Sequence, residues 1–163
     1  GQSLRRGLQL KPSVGQEKEW SEDPVKYDDA SWHYGGDFPK DLPPAAGATH
    51  IGMFLSWAIL RDLASDMHRE ESTESLEKVR NRQMTGAEFL RQECDEKFTD
   101  LDLSDAGNAF AQHYYEKDFF NDYCNAVLMG ETAYHVEDSW AHFDRVAAVL
   151  DDRFGSRLGS HQT

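Results

Sequence analysis

Apolar positions are unevenly spread along this chain, and the densest run sets the frame for the rest. In THIGMFLSWAILRDLAS, from Thr49 to Ser65, Ile51, Phe54, Leu55, Ala58 and Ile59 fall on one helical stripe and Met53, Trp57, Leu60 and Ala64 on another. A helix apolar most of the way round predicts a buried central helix, with Thr49 as its N-cap. The charged stretch from Asp66 to Gln83 keeps only Leu76 and Val79 as large apolar residues, which predicts a surface helix capped by Ser72 or Thr73 and running through Arg82. Thr85 and Glu88 form a capping box ahead of a helix that turns Phe89, Leu90 and Phe98 inward. Ser104 or Asp105 can cap the next helix, in which Phe110, Ala111, Tyr114 and Tyr115 recur at three- and four-residue spacing. A break is expected near Lys117 and Asp118, then a short helix through Phe119, Tyr123, Val127 and Leu128 ending near Gly130. The last stripe, Trp140, Phe143, Ala147, Leu150 and Phe154, is the clearest amphipathic one, and Gly155 is expected to stop it.

The N-terminal part reads differently. Residues 1–26 are polar without a sustained period and suggest a processed or engineered start, to which no function is assigned. From Tyr27 to Phe38 the aromatic residues Tyr27, Trp32, Tyr34 and Phe38 alternate with Asp28, Asp29, Gly35, Gly36 and Asp37, the pattern of a structured loop or a short hairpin. Pro39, Pro43, Pro44 and Gly47 then exclude a long helix before Ala48. The expected fold is a mainly α, single-domain bundle of five to six helices over residues 27–158, entered through that aromatic loop or hairpin and followed by a tail at 159–163.

Size and charge narrow the function classes. With 163 residues the chain can build one core of ordinary size. Seventeen Lys and Arg against 30 Asp and Glu leave a net charge of −13, which repels phosphate backbones and anionic lipid, so neither nucleic acid nor a membrane is an expected partner. No apolar run approaches the roughly 20 residues that span a bilayer, and no export signal opens the given sequence, so a cytoplasmic location is expected. Cys94 and Cys124 form no CxxC pair and read as packed, reduced thiols.

Catalytic chemistry is sparse. No phosphate-binding glycine loop, HExxH or GxSxG occurs, and no cofactor is expected. The one candidate metal set is His135, Asp138 and His142, spaced three, four and seven apart as ligands on one helical face would be; Asp138 or Ser139 serving as a helix cap beside a hydrogen-bonded histidine is the preferred reading. His68, Glu70 and Glu71 read as a solvated charged face. Trp32 and Tyr34, beside Asp28, Asp29 and Asp37, serve equally well as anchors of a binding loop or as plugs at one end of the bundle. Glu93, Asp95, Glu96, Asp100, Asp102 and Asp105 make the densest negative patch.

The segments KYDDASWHYGGDFP, ATHIGMFLSWAILRDL, FTDLDLSDAGNAFAQHYYE and AYHVEDSWAHFDRVAAVLDDRF also resemble a widespread family of small bacterial proteins, over about Lys26 to Leu158. The resemblance transfers no catalytic residue. It implies a likeness to the immunity partners encoded beside secreted antibacterial toxins, and hence a protein toxin as partner, bound through the aromatic loop and the acidic patch. An acidic inhibitor facing a basic nuclease-type toxin gains association rate from steering. Two other readings stay open: a metal-dependent hydrolase using His135, Asp138 and His142, and a homodimer packing through Met53, Trp57 and Leu60.

Overall fold

A computed structural model describes residues 24–33, 38–128 and 132–162. Its elements, in chain order, are strand β1 (Lys26–Asp29), a 3-10 turn at Ala30–His33, a second at Pro44–Ala48, α1 (Thr49–Leu60), α2 (Asp66–Glu71), α3 (Thr73–Arg80), α4 (Gly86–Glu93), β2 (Lys97–Thr99), a 3-10 turn at Asp100–Asp102, α5 (Asp105–Tyr114), a π-helical stretch at Tyr115–Phe119, α6 (Phe120–Val127), a 3-10 turn at Ala133–His135, and α7 (Trp140–Gln162). The break expected near Lys117 and Asp118 is instead the π stretch, which joins α5 to α6 so that Asp105–Val127 is one continuous rod and the described bundle has six helices. The mainly α, single-domain expectation is met.

α1 is buried on every side from Thr49 to Ile59. Its Phe54 ring touches those of Trp57, Phe98, Phe110, Tyr115 and Phe119, at centroid distances of 5.0 to 6.2 Å. Each such side chain withdrawn from water contributes about 1.5–3 kcal/mol, with up to roughly 1 kcal/mol more for the tilted and edge-on geometry. Met53 and Trp57 are 2% and 1% exposed, so the face offered for a homodimer lies inside the protomer's own core. Trp57 keeps its indole N–H satisfied by donating to Asp151 Oδ1 on α7 at 2.8 Å, a carboxylate that Arg61 also grips. A second polar pin joins α5, α6 and α7: Tyr114 O–H and the Arg153 guanidinium both donate to Asp122.

Local signals placed most caps. Thr85 and Glu88 make the reciprocal capping box of α4, Ser104 accepts from Gly107 N–H at the start of α5, and Ser139 accepts from His142 N–H at the start of α7. Three expectations fail. Thr49 lies inside α1 and is not its cap, because the 3-10 turn at Pro44–Ala48 runs directly into the helix and carries its first turn. The helix begun at Thr85 does not reach Phe98: it ends at Glu93, and Phe98 is turned inward from β2, whereas the helix expected after Ser72 is present as α3, preceded by the short α2 that Ser65 caps. Gly155 does not stop α7, which continues to Gln162; a glycine in an exposed helix costs only about 1 kcal/mol relative to alanine and can be carried along. Gly130 lies outside the described residues.

The aromatic segment begins as β1, whose partner is not its own return but β2, some 70 residues on, in antiparallel register with Asp28 opposite Phe98 and Asp29 opposite Lys97. A bulge between Lys26 and Asp28 breaks the two-residue alternation, so Tyr27, Asp28 and Asp29 are all buried. The bulge is what lets Tyr27 pack on Phe98 while its neighbour Asp28 also points inward.

α1 and α4 approach so closely at Gly52 and Gly86 that neither has room for a side chain: a Cβ on Gly52 would overlap the Ala87 backbone nitrogen, and one on Gly86 the Gly52 carbonyl oxygen. Gly155, by contrast, faces open space. We expect Gly52→Ala to lower stability by about 1–3 kcal/mol or more and Gly155→Ala to raise it by about 0.5–1 kcal/mol, read as opposite shifts of the urea midpoint. Equal shifts for both would show that the α1–α4 approach is not close-packed.

Candidate functional site

The most unusual chemistry sits where the buried helix begins. Asp28 (end of β1), His33 (end of the first 3-10 turn), His50 (first turn of α1), Tyr115 (start of the π stretch) and Tyr134 (the last 3-10 turn) converge from separate elements. Asp28 is 7% exposed. Its Oδ1 lies 2.8 Å from His33 Nε2 and accepts the Asp29 N–H, while its Oδ2 accepts the Tyr115 O–H at 2.7 Å. His33 Nδ1 in turn lies 2.7 Å from Tyr134 Oη. The two imidazoles meet edge to face, centroids 4.6 Å apart at 88°. His50 is 2% exposed, and its Nε2 stands 3.4 Å from Asp28 Oδ2 without making a hydrogen bond to any described residue.

Charge in this cluster is strongly set by position. Burial acts to raise the Asp28 carboxyl, but the hydrogen bond from His33, the adjoining His50 ring and the Tyr115 hydroxyl overcome it and hold the group well below the usual carboxylate range. Burial lowers His50, and the Asp28 carboxylate beside it does not fully compensate. Tyr115 is pushed up by burial and by the same carboxylate. Hydrogen bonding thus favours an ionised carboxylate at Asp28, and burial favours the neutral form of the His50 imidazole beside it.

A pocket of about 270 Å³ opens onto this floor; its wall includes Trp32, Glu116 and Phe120 beside Asp28, His33 and His50. Trp32 is 59% and Phe120 42% exposed, among the few large apolar side chains left in solvent. Lys26 lies over the Trp32 ring at 5.4 Å and pairs with Asp29 at 2.9 Å, which ties the exposed indole to β1.

The other expected site residues are distributed as follows. Asp29 is buried and bonded to Lys26 and Ser31, so neither it nor Asp28 can meet a partner directly. Tyr34 and Asp37 lie outside the described residues. The acidic run does not form one open patch: Asp102 is 4% exposed and bound to His68, and Glu93 is turned onto Ser72 and Ser75. Asp100 caps the start of β1 by accepting the Val25 N–H, and the Glu96 carbonyl accepts the Ala30 N–H. Asp95, paired with Lys97, and Asp105 are exposed.

His135, Asp138 and His142 form no converging ligand set among the described residues. His135 pairs with Asp41 and Thr132, and His142 Nδ1 donates to the Glu137 carbonyl, because Ser139 starts α7 and leaves His135 in the preceding turn. His68, expected on a solvated face, is buried between Ser72 and Asp102. With Cys94 it resembles a Cys–His–Asp triad in composition only. Asp102 and the thiol both face Nε2, at 2.8 and 3.8 Å, so no nitrogen is free to take the thiol proton, and burial beside Asp102 pushes that thiol up.

Residues 26–136 match the model of a domain of unknown function, DUF7832. The chain belongs to this family. The matched span holds every residue of the pocket floor and stops short of α7. No curated protein and no solved structure matches this DUF7832 chain.

His33, His50, Tyr115 and Tyr134 are the site residues that sequence reasoning passed over. The available signal was His50, a titratable residue at the head of an otherwise apolar helix. Its buried state has a measurable consequence. An imidazole whose folded value lies below its unfolded 6.5 takes up a proton on unfolding, so stability is full above that pH and falls as the pH drops below it. Asp28, held low, stays ionised over the same window. The melting temperature should therefore decline from about pH 7 to about pH 5, and His50→Gln should flatten the decline by at most about 1.4 kcal/mol per pH unit. Identical slopes for the two proteins would mean that folding does not lower His50, and a steeper decline in His50→Gln would mean that it is held charged in the folded state.

Proposed function

We propose that this protein acts by binding, as a bacterial immunity protein that captures a basic secreted toxin and occludes its working cleft. The observation that carries the reading is the pair Trp32 and Phe120, two large aromatic side chains left in water on the rim of one pocket that exposed Glu116 also lines. Aromatic residues held rigidly at a pocket edge are the usual anchors of protein interfaces, since they bury much area for little rotamer entropy. Around them a net charge of −13 steers a basic partner and penalises acidic ones. The resemblance to small acidic immunity proteins supports the same reading.

The proposed contact surface differs from the one expected from sequence. The carboxylates of the 93–105 run are drawn partly inward, so the weight shifts to Trp32, Phe120 and Glu116. No helix among the described residues is long and apolar enough to cross a membrane.

The test is a comparison of capture by the wild-type protein and by Trp32→Ala/Phe120→Ala from lysate of the source organism, followed by assay of the purified partner. A near-stoichiometric basic toxin, inhibited one to one by the wild-type chain and bound about 30-fold or more weakly by the double variant at an unchanged melting temperature, is expected. Glu116→Lys should slow association and reduce its salt dependence, with little change in dissociation. A partner held equally well by the double variant would move the interface elsewhere, and a partner whose activity is unaffected would end the immunity reading.

A further inference from the structure

We propose that Asp28, His33 and His50 form a binding site for one divalent transition-metal ion of the zinc class, with an open coordination position facing the pocket. This inference does not depend on the toxin-binding reading and concerns the isolated chain.

The ligand atoms converge. One ring nitrogen from each histidine and a carboxylate oxygen of Asp28 all lie within 4.8 Å of one another. Two ligands on a tetrahedral ion, each about 2.0–2.1 Å from it, stand roughly 3.3 Å apart. His50 Nε2 stands 3.4 Å from Asp28 Oδ2 and His33 Nε2 2.8 Å from Asp28 Oδ1, so an ion between the imidazoles meets the carboxylate through both oxygens or through one of them turned toward it, with the His33 contact opening by about half an ångström. His50 supplies an independent sign of a missing ligand. A buried imidazole nitrogen without a hydrogen bond is costly, and here that nitrogen is aimed at the carboxylate it would share a metal with.

The surroundings suit metal binding as well. A ligating histidine donates its other N–H to an acceptor, and Tyr134 Oη is placed 2.7 Å from His33 Nδ1 to receive it; the hydroxyl serves as donor in one tautomer and acceptor in the other. Tyr115 O–H donates to Asp28 Oδ2 and orients the carboxylate. Two imidazoles and one carboxylate favour zinc, cobalt, nickel, copper or iron over calcium and magnesium, which take oxygen ligands. Three protein ligands leave a further position, and the only approach described for it is the pocket beneath Trp32 and Phe120, where water or an anionic group can bind.

The second converging group, His68, Cys94 and Asp102, gives the contrast. There both nitrogens of the imidazole have partners, Ser72 and Asp102, and the thiol donates to the same carboxylate, so the group is closed by its own hydrogen bonds.

The experiment titrates the chelator-treated full chain with Co2+ and follows visible absorption, then competes with Zn2+. One equivalent of Co2+ giving the intense bands of a four- or five-coordinate ion, displaced by Zn2+, is expected. His33→Ala and His50→Ala should each weaken binding more than about 100-fold, and Tyr134→Phe by about 10-fold, while His142→Ala, at a half-buried histidine outside this cluster, should leave it unchanged. Should a ligand variant fail to fold, proton NMR of the wild-type Co2+ protein decides, since two hyperfine-shifted exchangeable imidazole N–H signals report two histidine ligands. No bound equivalent, the weak spectrum of the hexaaqua ion, or equal loss in His142→Ala would overturn the proposal.

Discussion

Everything in this fold follows from surrounding α1. A twelve-residue helix that is apolar on nearly all of its surface cannot rest on a sheet or lie in a groove; each side must be covered by another element. α4 covers one side at the closest distance that glycine permits, through Gly52 and Gly86. The continuous rod of α5 and α6 covers another with the rings of Phe110, Tyr114, Tyr115 and Phe119, and α7 closes a third, pinned by Trp57 to Asp151. β1 and β2 fill what is left with Tyr27 and Phe98.

The polar cluster is a product of the same enclosure. Wrapping α1 to its first turn carries His50 out of water, and a buried imidazole needs a counterpart. The bulge in β1 turns Asp28 toward it, the 3-10 turn brings His33 back over Asp28, and the π stretch places Tyr115 against the same carboxylate. These local irregularities, a bulge, a π turn and a short 3-10 turn, are devices that re-aim side chains, and all of them meet at one place. The rim above, Trp32 and Phe120, is the part of the aromatic complement that the core leaves in water.

The two buried acid–base groups show why residue composition is a poor guide to chemistry. His68, Cys94 and Asp102 hold the elements of a nucleophilic triad, yet their hydrogen bonds close on one nitrogen and keep the thiol protonated. Asp28, His33 and His50 look less like any motif, being spread over three elements with an irregular spacing, and they are the group in which a buried ring nitrogen lacks a hydrogen bond. Satisfaction of hydrogen bonds, and not residue identity, separates a structural knot from a site.

The chain's own pattern determined the helical class, the buried central helix, the capping box at Thr85 and Glu88, and the caps at Ser104 and Ser139, because each depends on residues within a turn or two of one another. It also drew attention to Trp32, whose exposure the structure bears out. It could not show that β1 pairs with β2, that Asp102 and Glu93 turn inward, that α7 passes through Gly155, or that His33, His50, Tyr115 and Tyr134 share one carboxylate. Those outcomes depend on which distant surfaces are pressed together once the apolar area of α1 is withdrawn from water. No local period encodes them: contact across tens of residues is decided by packing, and only packing sets which polar groups keep their partners.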